Sequence, residues 1–347
     1  MVNMSAKLQQ KLLFVPAHSA SLSPQERLCR GRRAVLHCFF PMANDGRSRV
    51  WLWVVVGGGV FFLFLLAVFT LVYYSVRSNQ DSTEVMRAGG FGKIAVIDLD
   101  GVILTPKDTV KALKQFSDDS SVKAIILHID SPGGGAAASE EIYREVRRIR
   151  DQKKKRIVAD IETVGASGAY YVASGTNKIY ANNASIVGSI GVIMEWYNYA
   201  DLIKWAKLKN IVIKTGEFKD TGNPARDITP AEQQYLQGMA DNMLGQFVHS
   251  VADGRGVKDD KIKSIADGRV WTGEEAKSMN LIDSIGDFET AVKETATSVG
   301  IKGEPTLVRY EKEKKSVLDL LFGDVSQFLP DTARMMQNNV GFYYLWK

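Results

Sequence analysis

Two kinds of hydrophobic pattern divide this chain. Residues 51–74 are almost continuously apolar, and no charged residue occurs from 50 to 76. A helix needs roughly 20 such residues to cross a bilayer. Trp51 and Trp53 at one end, and Tyr73 and Tyr74 at the other, fit interfacial aromatic belts. The run has no polar face, as a core helix would, and 73–76 makes a poor signal-peptide cleavage site. A retained transmembrane helix over 50–76 is predicted.

From residue 93 the pattern changes to short apolar runs alternating with amphipathic ones. Strands are predicted over 93–99, 102–104, 124–130, 156–161, 178–180, 190–194 and 211–213. Helices are predicted over 109–116, 139–150, from Ser167, over 199–207, over 245–253 and from Pro230, with Thr229 as N-cap. In 139–150, Ile142, Val146 and Ile149 share one face and Arg144, Arg147 and Arg148 the other. Repeated strand–helix units predict an α/β fold with a mostly parallel sheet covered by helices. The implied organisation is a basic tail (1–49), the span (50–76), a polar linker (77–90), a folded domain (91–300) and a C-terminal extension (301–347). Within that extension 316–322 reads as a partner or membrane-surface helix or as packing, and the unusually aromatic 341–347 is expected to pack, as at a subunit contact, rather than thread towards a neighbour's active site. Met42, just before the span, is a second candidate start.

Charge orients the span. Residues 1–49 carry eight lysines and arginines against two acidic residues, whereas 77–90 carry only Arg77 and Arg87. The positive-inside rule then leaves the N-terminus cytoplasmic and the rest extracytoplasmic. The net charge of +5 resides in the tail, so the exported part is nearly neutral and no nucleic-acid partner is expected. Cys29 and Cys38 both precede the span, which leaves no disulfide for the exported domain. His128 and His249 lack ligand-spaced neighbours, so no metal or other cofactor is expected.

Candidate chemistry lies where strands end. Ser131-Pro132-Gly133-Gly134 follows one apolar run, and Gly165-Ala166-Ser167-Gly168-Ala169-Tyr170-Tyr171 follows the next. Glycine N–H groups can hold a developing oxyanion, and a serine at a helix start can create one, which points to acyl transfer. The serine needs a base. His128 reads as a sheet histidine, and Ala169 stands where a nucleophile elbow has its second glycine, so a histidine triad is disfavoured. A lysine made neutral by burial is the alternative. Composition alone does not choose one, and Lys214 competes with Lys219.

Four ordered segments resolve the choice: the two above, Val187-Gly188-Ser189-Ile190-Gly191-Val192, and Lys214-Thr215-Gly216-Glu217-Phe218-Lys219-Asp220. Together they resemble the signal peptide peptidase A family in its short bacterial form, over roughly residues 90–300. The resemblance implies a caseinolytic protease/crotonase-like fold of repeated β-β-α units and a Ser–Lys dyad. Ser167 would be the nucleophile, Lys219 the general base and Ser189 the hydroxyl that positions the lysine. Gly134 and Gly168 would supply the oxyanion hole. It also implies a homo-oligomeric ring with active sites shared between protomers, and remnant signal peptides or other apolar peptides as substrates. A catalytically inactive scaffold of the same fold and a crotonase-type acyl-CoA enzyme are the alternatives.

Overall fold

The structure, a computed structural model, describes residues 46–78, 83–310 and 342–346. Helix α1 spans Gly46–Ser78. Its segment Trp51–Thr70, 20 residues of mean hydropathy 2.6, contains no buried residue. At 1.5 Å per residue such a segment reaches about 30 Å, the thickness of a hydrocarbon core.

The folded part is a mixed α/β structure on a central, mostly parallel sheet. Its main path runs β1 (Thr83–Arg87), β11 (Thr306–Tyr310), β2 (Lys93–Asp100), β3 (Val122–Ser131), β5 (Arg156–Ala166), β6 (Ile179–Ala181) and β10 (Ser284–Ile285). β7 (Ile186–Gly188) branches from β5, and β9 (Val270–Thr272) pairs with β7. β1 and β11 lie outside the 91–300 span that the pattern marks as the domain, yet they form the sheet's edge, with Val85 opposite Val308.

Why these strands are parallel and central is visible in their sequences. Ile94-Ala95-Val96-Ile97 and Ile125-Ile126-Leu127 are buried on both faces, as parallel strands between helix layers must be. Ala95, Ile97, Ile125, Leu127, Ile157 and Ala159 face a core shared with α2 (Lys107–Asp118), α3 (Ala136–Asp151), α4 (Gly168–Ser174) and α6 (Pro230–Arg255). Ile94, Ala124, Ile126 and Val158 face the other way, onto Ala291, Val292 and Ala296 of α9 (Phe288–Ser298). The Thr229 N-cap holds as a full capping box with Glu232.

Some predicted elements change. Residues 102–104 reduce to a single bridge between Ile103 and Gly134. The 190–194 strand narrows to β8 (Ile193–Met194), because Ser189 ahead of it turns the chain at φ +52°. No strand forms at 211–213, where Ile211 and Ile213 are 81% and 97% exposed. Among the described residues no neighbouring strand offers partners for its backbone. The 316–322 helix lies outside the described residues, as does the tail with both cysteines.

His128 is a sheet histidine, as its place in β3 predicts. Its Nδ1 lies 2.8 Å from Asp160 Oδ2, its Nε2 3.3 Å from Glu162 Oε2, and Phe288 meets it edge-on. The Asp160 hydrogen bond raises the histidine's pKa, against the opposing effect of burial. The stabilisation is therefore complete below the ordinary value of about 6.5 and is lost as pH rises through the raised one. His128→Gln should lower the melting temperature more at about pH 6 than at about pH 9. Equal losses at both would show that the pair contributes packing alone.

Candidate active site

At the carboxyl end of β3 the chain makes a glycine turn. Ser131 is fully buried; its hydroxyl donates to the Gly101 carbonyl (2.6 Å) and accepts the Gly133 N–H (3.1 Å). Ser131 is thus committed to shaping the turn. Gly133 follows at φ +96°, where a side chain is strained, and opens β4 (Gly133–Gly135). Ile103 accepts the Gly135 N–H and donates to the Gly133 carbonyl, both at 2.8 Å. Backbone groups alternate sides along a strand, so the Gly134 N–H points away from Ile103. A Cβ at Gly134 would stand 2.2 Å from the Ile103 oxygen, which explains the glycine.

The carboxyl end of β5, next to β3, carries Ser167. Its backbone takes φ +54°, ψ −118° between the last strand residue and the first residue of α4. Holding a non-glycine residue there costs about 1–3 kcal/mol, and such strain persists where surrounding bonds enforce it. Here the Ser167 N–H donates to the Gly188 carbonyl at 2.7 Å, and the Ser167 carbonyl accepts the Tyr171 N–H at 2.8 Å. Ala166 pairs with Gly188 in the sheet, so Ser167 and Ser189 leave adjacent strand ends side by side. Ser189 is buried as well, at φ +52°, its N–H bonded to the Arg269 carbonyl.

A strand from far along the sequence lies across this place. β12 (Phe342–Leu345) is antiparallel to both β4 and β8, with Tyr344 opposite Gly134. The Trp346 N–H donates to the Pro132 carbonyl at 2.8 Å. Hydrogen-bonded pairs in an antiparallel ladder recur every second residue, so Tyr344 and Gly134 form the next one. The Tyr344 carbonyl oxygen also lies close to Gly168. A Cβ built on Gly168 would be 3.0 Å from that oxygen and 3.2 Å from Gly134 N. Gly134, Gly168 and the Tyr344 carbonyl oxygen therefore lie close together, next to Ser167 in the chain.

The Tyr344 side chain is buried in an aromatic pocket. Its ring stacks on Tyr171 (5.5 Å, 23°) and tilts against Phe247 (4.7 Å), and its hydroxyl donates to the Met243 carbonyl (3.1 Å). Burial pushes its phenol pKa up. Beyond Tyr344 the groove widens into a cavity of about 530 Å³ lined by Ser189, Val192, Leu244, Leu345 and Trp346, among others. Tyr171 was visible in its motif, but Met243 and Phe247 on α6 carried no local signal.

Four of the five candidate residues, Ser167, Ser189, Gly134 and Gly168, come together. Lys219 does not join them within one chain. It sits on an exposed one-turn 3-10 helix, Glu217–Asp220, and its ammonium makes no hydrogen bond or ion pair among the described residues. Lys214, the competing lysine, is engaged: its Nζ donates to Asp220 Oδ1 (2.6 Å) and to the Glu217 carbonyl (2.7 Å). The surrounding segment exposes Tyr197, Tyr199, Leu202, Trp205, Leu208 and Phe218.

Similarity to known proteins identifies the family. The model for peptidase family S49 matches residues 149–302, which include Ser167, Ser189 and Lys219. A Synechocystis sp. protein, whose name marks it as a candidate protease, is 36% identical over 251 residues, covering 72% of this chain and 88% of that protein. The chloroplastic serine protease SPPA of Arabidopsis thaliana is 30% identical over 257 residues, 72% of this chain and 37% of that one. Protease 4 of Salmonella typhi is 30% identical over 276 residues, 76% of this chain and 44% of that one. The chain thus spans most of the first relative and less than half of the other two. With matches of this extent, the chain belongs to peptidase family S49.

Proposed function

We propose that this protein is a membrane-anchored serine endopeptidase that cleaves apolar peptides, remnant signal peptides among them. The observation that carries the reading is the Tyr344 carbonyl beside Gly134, Gly168 and Ser167. A peptide lying as β12 lies would add a strand between β4 and β8 and place one carbonyl at that point. The Ser167 hydroxyl would attack its carbon, passing its proton to a neutral Lys219 amine. The oxyanion would be held by the Gly134 and Gly168 N–H groups, whose loss singly costs about 10²–10³ in rate. Collapse would release the amine with the proton from Lys219, and water would then cleave the acyl-enzyme by the reverse path. Ser189 would hold the lysine amine.

Lys219 would reach Ser167 from a neighbouring protomer. The exposed apolar segment around it is the surface on which copies would meet, in a homo-oligomeric ring that also removes the lysine from water. The core fold would be the caseinolytic protease/crotonase type. α1 would anchor the domain on the extracytoplasmic side, with the basic tail in the cytoplasm.

The test uses the full chain in detergent with a fluorogenic peptide carrying tyrosine at the cleaved position, beside a serine-directed phosphonate. Turnover, with the phosphonate attached to Ser167, supports the reading. A folded chain that takes up the phosphonate at another serine, or turns over peptide without Ser167, refutes it. Because β12 fills the groove, deletion of 342–347 should raise turnover of added peptide severalfold by removing an intramolecular competitor. Unchanged turnover would mean that β12 leaves the groove freely.

A further inference from the structure

Asp220 directly follows Lys219, and an ionised carboxylate beside an ammonium favours the charged form of the lysine. A base that must be neutral is poorly served by such a neighbour. The Asp220 carboxylate, however, is occupied from two directions. Arg226 donates from Nε to Oδ2 and from Nη2 to Oδ1, each at 2.9 Å, and Lys214 Nζ donates to Oδ1 at 2.6 Å. Asn223 adds a longer contact.

The same guanidinium grips a second carboxylate. Arg226 Nη1 lies 2.8 Å from Glu232 Oε2, and Nη2 lies 2.5 Å from Oε1. Glu232 is buried and also accepts the Thr229 N–H (2.9 Å) in the capping box of α6. Arg226 thus ties the turn carrying Lys219 to the first turn of a 26-residue helix through two planar, two-point contacts. Its hydrogen bonds, foremost, hold the Glu232 pKa down at about 2 and that of Asp220 well below the carboxylate range. The charged groups around the turn are Lys214, Glu217 and Asp220 on its own loop, Arg226 and Asp227 on the next, and Glu232 on α6.

We propose that Arg226 is a positioning residue for the reaction: it locks the Lys219 turn onto α6 and keeps Asp220 from pairing with the Lys219 amine. This rests on Lys219 being the general base.

The experiment records kcat and KM against pH for the full chain and four variants. Lys219→Ala tests the underlying reading, and wild-type activity in it would remove that reading and the inference together. With Lys219→Ala inactive, Arg226→Ala is expected to lower kcat more than it raises KM. The pH at which kcat/KM half-develops should move up by about one unit. Arg226→Ala combined with Asp220→Asn should bring that limb back while kcat stays low. A folded Arg226→Ala protein with an unmoved limb overturns the proposal. Should Arg226→Ala fail to fold, Asp220→Asn alone decides. A limb that stays in place shows the carboxylate was already withdrawn from Lys219, whereas a limb lower by about one unit shows the two were paired and overturns the proposal.

Discussion

Replacing Ser167 with alanine is expected to abolish peptide hydrolysis, by about 10⁴-fold or more, and to leave the chain folded. The strained φ of +54° is as accessible to alanine as to serine, and the bonds that enforce it are backbone bonds to Gly188 and Tyr171. Deletion of one hydroxyl would therefore remove the proposed nucleophile without relaxing the turn. Turnover assays and a thermal melt on the same preparation check both halves. A melting temperature unchanged within a few degrees, together with turnover within tenfold of wild type, would sink Ser167 as the nucleophile.

A second large effect is recovery rather than loss. Ser167→Ala and Lys219→Ala are each expected to be inactive alone, and a randomly mixed ring of the two is expected to regain activity. Where each site takes its serine from one protomer and its lysine from the next, one site in four pairs two intact partners, so about a quarter of wild-type activity returns. The reason to expect this is the separation of the two groups in one chain. Ser167 is buried at the end of β5, whereas Lys219 stands exposed on a turn beside an uncovered apolar segment. Co-expression of two differently tagged chains, followed by tandem purification and assay, measures it. A co-purified mixed oligomer with no activity would place both members of the pair within one chain.

The strands were legible because they are buried on both faces: 124–130 reads as a near-continuous apolar run, and nothing but a central parallel strand fits it. The site was legible for a different reason. Ser167 between glycine and alanine neighbours reads equally as a helix N-cap, and only the ordered set of four motifs singled it out. What stayed hidden depends on residues distant in sequence. Met243 and Phe247 look like ordinary positions on a long helix until Tyr344 arrives against them. Arg226 looks like a loop arginine until Asp220 and Glu232 meet at its two edges. The error at 211–213 has the same origin: β-branched residues predict a strand, but a strand exists only where another backbone lies alongside.

Helix α6 joins two places that a sequence reader would treat separately. Its first turn carries Glu232, which fixes the turn bearing Lys219 through Arg226, and its middle carries Met243 and Phe247, which close around the buried tyrosine. The two lie on a single rod, about 17–23 Å apart along its axis at the rise of an α-helix. Enlarging or emptying the aromatic pocket would therefore tilt the same rod that holds this protomer's own Lys219, the lysine proposed to serve the neighbouring site. Selectivity and turnover would then be mechanically linked, and altering the pocket to admit a different residue would retune the rate as well.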